Sequence, residues 1–396
     1  MQNFQLNETD ILSKQDWTFP TNTAYGPGRF KEIGDHCAKF GIKNPLIVTD
    51  NGSIKLPFIT ELKGLLLKAN IKSDLFSDIS PNPREDEVSV GRKKFKDGNH
   101  DSIIAIGGGS AMDGGKLICL TANNEIPLRD FEFELTPPKV GKDNPFPKII
   151  TIPTTAGTGA ETEITAMVTY LEEGMKFCMW HPDVRPVLAL VDPELTLGLP
   201  SSLTAWTGVD AMVHAIEGYC VPGFNPLCDG SALESLSLIS KSLYLAVEEP
   251  KNIVARGGMH IGSYLGGIAF LKGLGNVHAI SHMVGAEFNT QHGLTNAIIL
   301  PVVLKYNLSG MNEKVKRMSE AMQFEEHSVE SFINNIEKIL DRLQIPKSLS
   351  EIGVTEDCID RIAEKSMKDQ AYATNPKKAS FEDMKEMVSQ SIKKAR

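Results

Sequence analysis

The chain has 396 residues, of which 41% are hydrophobic and 23% charged, and its formal net charge is -9. That length can bury two hydrophobic cores, and the composition is ordinary for a globular protein in water. An acidic balance with no basic stripe excludes a nucleic-acid surface, and no apolar run approaches the roughly 20 residues needed to span a membrane.

The opening "MQNFQLNETDILSKQDW" lacks the basic-then-apolar order of a secretory signal. Six cysteines (Cys37, Cys119, Cys178, Cys220, Cys228 and Cys358) lie scattered with no C-x-x-C pair. Reduced thiols and a cytoplasmic location are expected.

In chain order, "PLIVTD" at 45–50 and "SIIAIGGGS" at 102–110 are compact apolar runs ending in turn residues, as buried parallel strands do. "FPKIITIPTT" at 146–155 and "PVLALVDPE" at 186–194 read alike, with helical patterns at 57–69 and 110–122 between strands. This rhythm predicts a parallel sheet covered by helices. From "LPSSLTAWTGVDAMVHAIEGYC" to "FEDMKEMVSQSIKKAR" the pattern is helical almost throughout. The expectation is an α/β domain over 1–194 and an all-helical domain over 195–396, with no internal repeat.

"IIAIGGGSAMDGGK" reads as a strand, a turn of Gly107, Gly108 and Gly109, and a helix opening at Ser110. Glycines let the backbone approach a phosphate, and the free amides of the first helical turn donate to it. The spacing is not G-x-G-x-x-G, and a tight turn with no ligand is the other reading. In "PTTAGTGAE", Thr154, Thr155 and Thr158 either reach phosphate and nicotinamide groups or serve a structural turn. Asp50 ends its strand where a carboxylate accepts from a ribose hydroxyl and repels a 2′-phosphate. A plain turn residue is the alternative, and here the acid precedes the glycines instead of following them.

"SSLTAWTGVDAMVHAIEGY" offers Ser202 as a helix cap and places Asp210 and His214 one turn apart. "GNVHAISHMVGAEFNTQHG" at 275–293 holds three of the nine histidines. His278 and His282 are one turn apart, and His292 falls where a helix is expected to end. Two helices thus supply one carboxylate and up to four imidazoles. Three nitrogens and one oxygen suit Fe2+ or Zn2+. Spacing alone does not choose the three histidines; either pair alone reads first as helix-borne core, Asp210 and His214 as a hydrogen-bonded pair, and only together, beside the glycine turn, do they point to a site.

"GGGSAMDGGK", "IPTTAGTGAE", "VDPELTLGLP", "TGVDAMVHAIE" and "HAISHMVGAEFNTQHG" together resemble the iron-dependent alcohol dehydrogenase family, in the family's order. The match runs from about residue 24 to the "ATNP" region. The resemblance implies a nucleotide-binding α/β domain, a helical domain of the dehydroquinate synthase-like fold, and an active site in the cleft between them. It implies Asp210, His214, His278 and His292 as ligands of Fe2+, with Zn2+ as the other candidate. His282 matches the non-ligand histidine near the nicotinamide, where it either relays the proton or orients the ring. Asp50, Asn82, Gly108, Gly109, Ser110, Asp113, Thr154, Thr155, Thr158 and Lys176 match positions lining the NAD site, and Asp50 matches the residue favouring NAD over NADP. A homodimer formed through the N-terminal domain is implied as well.

Many members of the family read "AFSNAGLGLVHAM" where this chain reads "AFLKGLGNVHAI", one residue shorter and carrying Lys272. With "KFCMWHPDVRP", bearing His181 and Arg185, and with "FNP" at 224–226, the chain resembles the 4-hydroxybutyrate dehydrogenase branch. Lys272 either pairs with a substrate carboxylate or caps a helix, and Phe270 and Trp206 either line the pocket or belong to the core. The expected activity is NAD-dependent oxidation of small primary alcohols or ω-hydroxy acids to aldehydes, and the reverse. A simple alcohol or diol dehydrogenase is the second reading. A lyase resembling the dehydroquinate synthases is the third, although the clustered basic residues it needs are not seen near the ligands.

Overall fold

A computed structural model describes residues 12, 15–17, 21–141 and 143–396. Among these, the chain forms an α/β unit, up to Thr155 and over Ala160–Gly198, and a helical unit of Leu199–Arg396 with the inserted segment Ala156–Gly159.

The four apolar runs become the middle of one sheet. The strands are β1 (Gln15–Trp17), β2 (Thr23–Tyr25), β3 (Pro45–Val48), β4 (Asp74–Phe76), β5 (Ser102–Gly107), β6 (Lys148–Pro153), β7 (Thr165–Tyr170), β8 (Met175–Trp180) and β9 (Leu188–Val191). Seven of them pair in the order β1-β2-β9-β6-β5-β3-β4, all parallel except β1 on β2, while β7 and β8 form a separate antiparallel hairpin. Side chains alternate across this sheet, and both faces are covered. Leu46, Val48, Ile103 and Ala105 join the core beneath α3 (Glu85–Asp97) and α4 (Gly109–Ala122). Ile47, Ile104, Ile106 and Ile150 join the opposite core beneath α1 (Ile33–Phe40) and α2 (Pro57–Lys68). Burial on both sides is why these strands read as continuous apolar runs, each large side chain contributing about 1.5–3 kcal/mol.

The helical unit is built around α5 (Ser201–Cys220), in which every residue from 207 to 220 is buried. A helix buried on all sides lies inside others, and its few polar side chains must find partners there. Here α6 (Pro226–Glu248), α7 (Ile253–Ala269) and, beyond α8 (Asn276–Phe288), α9 (His292–Asn307) pack against it, while α8 meets it through the His278–Glu217 pair; α10 (Asn312–Ala321), α11 (Val329–Arg342), α12 (Ile359–Ser366), α13 (Gln370–Thr374) and α14 (Phe381–Lys393) follow. No described helix is long and apolar enough to cross a membrane.

Two local expectations are corrected. Ser202 does not cap α5, because the helix begins one residue earlier, behind Pro200, whose fixed backbone brings the chain in. His292 opens a helix instead of ending one. α8 stops at Phe288 because Asn289 turns left-handed (φ 51°), and the Gln291 side chain then caps α9 by accepting from Leu294 N–H.

Candidate metal centre

Asp210 and His214 project from α5, His278 from α8, and His292 from the first turn of α9. Three helices therefore contribute, not two. The donor atoms of these four residues all lie within 4.8 Å of one another. Asp210 Oδ1 stands 3.9 Å from His214 Nε2 and 3.7 Å from His292 Nε2. All but the partly exposed His292 are buried. Gly293 permits this approach: a Cβ there would run into the Trp206 carbonyl and come within 3.0 Å of Asp210 Cβ.

Each imidazole needs one nitrogen tied down if the other is to face a cation. His278 Nδ1 donates to Glu217 Oε2 at 2.7 Å, and the same carboxylate accepts from the N–H groups of Gly275 and Val277 at the start of α8. His214 Nδ1 donates to the Gly157 carbonyl at 3.3 Å. Burial pushes the His214 pKa down to about 4, so the ring is neutral near physiological pH, as a ligand must be.

The donor set fits a cation. Asn296 Nδ2 lies 2.7 Å from Asp210 Oδ1, 3.2 Å from His278 Nε2 and 3.1 Å from His292 Nε2. An amide nitrogen has two hydrogens to offer, and here three acceptors converge on it. A divalent ion satisfies all of them and His214 Nε2 as well.

His282 lies outside the set of four. Its ring stacks on His292 with centroids 5.5 Å apart, and its Nδ1 donates to Asp369 Oδ2 at 2.9 Å. The Phe270 ring lies 4.9 Å from that of His214, and Trp206 is partly buried on α5. Lys272 caps the end of α5: its ammonium pairs with Asp229 and reaches the Tyr219 carbonyl at 3.4 Å. His181 is held by the Pro138 carbonyl and by Asp183 N–H and packs against Phe146, as a structural side chain does. Arg185 acts electrostatically on the buried Glu163.

In the α/β unit, β5 ends at Gly107 with φ 144°, Gly108 precedes α4, and Gly109 and Ser110 form its first turn. A Cβ on Gly107 would come within 2.9 Å of Asp50 Oδ2, so the strand-end carboxylate sits beside the glycine turn. Asp50 accepts from Gly52 N–H, Ser53 N–H and Ser53 Oγ–H. Thr154 N–H donates to the Gly107 carbonyl, and Thr155 flanks Gly108. Asn82 is buried, its carbonyl accepting from Ser80 Oγ–H. On α4, burial raises the Asp113 carboxyl to about 6, against the pull of Lys116 and of Lys176 on β8. Thr158 belongs instead to the segment packed with the helical unit.

Residues 20–193 match the iron-containing alcohol dehydrogenase family, and residues 204–392 match its C-terminal domain. The chain belongs to the iron-containing alcohol dehydrogenase family. It is 32% identical over 380 residues to the NAD-dependent methanol dehydrogenase of Bacillus methanolicus, covering 94% of this chain and 98% of that protein. It is 33% identical over 380 residues to 4-hydroxybutyrate dehydrogenase of Cupriavidus necator, covering 92% and 96%. A solved 1,3-propanediol oxidoreductase superposes with a TM-score of 0.88 at 32% identity, covering 96% of this chain and all of that one.

Sequence reasoning missed Glu217, Asn296 and Asp369. Glu217 follows His214 by three positions and Asn296 follows His292 by four, so helical periodicity carried a signal for both. Asp369 is 87 residues from His282, and no spacing announces it.

Proposed function

We propose that this family member is a reversible NAD(H)-dependent dehydrogenase of small neutral primary alcohols and diols, with a ferrous ion held by Asp210, His214, His278 and His292. The alcohol gives a hydride to NAD+ and a proton to solvent, leaving aldehyde and NADH. The observation that carries this reading is the four-donor cluster, whose acceptors outnumber the hydrogens of the one amide among them. Zinc is the alternative loading, since it outcompetes ferrous iron at such donors on affinity alone. When bound, the metal supplies Lewis acidity that lowers the pKa of a substrate hydroxyl.

The chain's own groups do the rest. Glu217 and the Gly157 carbonyl hold His278 and His214 with Nε2 toward the other donors. Phe270 offers an apolar surface beside His214. His282, tied at Nδ1, keeps Nε2 to accept the hydroxyl proton. In the α/β unit, the glycine turn and the first amides of α4 suit a diphosphate. Asp50 keeps lone pairs for ribose hydroxyls and opposes a 2′-phosphate, which supports NAD over NADP.

A preference for ω-hydroxy acids needs a free cation. The Lys272 ammonium already has Asp229 and a helix-terminal carbonyl, and its side chain is only 6% exposed. A substrate carboxylate would have to displace Asp229, which favours neutral substrates. The test is a panel of short alcohols, diols and ω-hydroxy acids with NAD+ or NADP+, after reloading with iron or zinc. Steady NADH accumulation with alcohols and diols is expected, with Lys272→Ala leaving the ratio of hydroxy acid to alcohol turnover unchanged. A preparation of verified metal content that transfers hydride with none of them refutes the reading.

A further inference from the structure

We infer that Asp369 is a positioning residue that fixes His282 in the tautomer with hydrogen on Nδ1, leaving Nε2 bare to receive the substrate proton. This rests on the dehydrogenase reading above.

His282 and Asp369 are 5% and 6% exposed, so water does not compete freely for either. Asp369 Oδ2 lies 2.9 Å from His282 Nδ1. A carboxylate only accepts, so the hydrogen between them belongs to the ring. The other oxygen, Oδ1, accepts from Ala371 N–H at 2.8 Å, where Asp369 caps α13. The carboxylate is thus pinned by backbone on one side and reads the ring with the other. The His282 ring stands 5.5 Å from that of His292 and 5.7 Å from that of His278, adjacent to the four donors without being one of them. Once the hydroxyl O–H bond breaks, its proton lodges on Nε2 to give an imidazolium, which returns it to water while the hydride goes to NAD+.

The cap makes the inference testable with one atom changed. In Asp369→Asn, the Ala371 N–H still requires an acceptor, so the amide oxygen takes that place and the NH2 turns toward His282. An NH2 donates, so Nδ1 must become the acceptor and the hydrogen moves to Nε2, with the shape of the site retained. Histidine 15N shifts distinguish the two tautomers in metal-free protein, at a pH above the imidazole range. Wild type is expected to show hydrogen on His282 Nδ1, and Asp369→Asn to show it on Nε2. In the metal-loaded enzyme, kcat for alcohol oxidation should fall by about 10²-fold or more in Asp369→Asn, with KM for the alcohol little changed. Asp369→Ser, which keeps a helix cap but is too short to reach the ring, should give a mixed tautomer and an intermediate kcat.

Wild type carrying hydrogen on Nε2 overturns the inference, and that measurement does not depend on the variants folding. So does Asp369→Asn with an inverted tautomer and an unchanged kcat. A wild type with the expected tautomer that oxidises no alcohol refutes the dehydrogenase reading instead, leaving the pairing of Asp369 with His282 in place.

Discussion

His260, on α7, is 2% exposed, and neither ring nitrogen has a hydrogen-bond partner. Burial, and then the nearby Arg256, push its pKa down to about 3. A folded pKa below the ordinary histidine value means that protons favour the unfolded chain. His260 therefore costs nothing extra above the imidazole range and destabilises progressively as pH falls from about 6.5 toward about 3. We expect His260→Leu to stabilise the protein by about 1–3 kcal/mol near neutrality, since it removes unpaired buried polar atoms. The gain should grow in mild acid, and urea unfolding at neutral and mildly acid pH measures both. The contrast with the candidate site is in the partners. His214, His278 and His282 are buried to a similar degree but have the Gly157 carbonyl, Glu217 and Asp369. In the sequence, all four are imidazoles on helices. The carboxylates and the carbonyl that set the candidate ligands and the proposed relay apart from plain core come from distant positions, so residue types and local spacing carry only half of that distinction.

At the scale of elements, the site depends on how closely α9 approaches α5. In Gly293→Ala the added carbon meets the Trp206 carbonyl, which is backbone of a buried helix and cannot move aside as a flexible side chain can. We expect Gly293→Ala to destabilise by about 1–3 kcal/mol, the usual range for overpacking, and to lower metal content on purification by displacing His292 from Asp210. Thermal melting and metal analysis check the two effects separately, and unchanged values for both would show that the helices have room to spare. The long apolar strands and the helix-period segments were legible because burial on both faces of a sheet, or all around a helix, writes itself into many residues. Strands β2 and β4, of three residues each, are too short to show a period; β2 is extended because it pairs between β1 and β9, and β4 because it adds to the sheet edge beside β3. The start of α9 was misread for a related reason. "NTQHG" has the composition of a turn, and one left-handed asparagine and one glutamine cap place the helix boundary within it.

For the whole molecule, the four donors come from helices separated in sequence, so a bound cation should act as a cross-link within the helical unit. An ion that binds the folded chain alone stabilises it by about 2.7 kcal/mol at a hundredfold excess over Kd. Adding Fe2+ or Zn2+ to metal-free protein should therefore raise Tm, and a chelator should reverse the rise. Hydrogen exchange should slow first in α5, α8 and α9. Asp210→Asn should abolish the response, and a wild-type Tm indifferent to both metals would mean that the cluster holds no cation.

The four-residue detour of Ala156–Gly159 into the helical unit has a practical bearing on how this polypeptide can be dissected. A gene cut at the apparent junction near Leu199 yields a C-terminal fragment containing all four candidate donors but not the carbonyl that His214 Nδ1 meets. Such a fragment would lack the acceptor for His214 Nδ1. Joining residues 156–159 to Leu199 through a linker, not simple truncation, is the route to an isolated helical half.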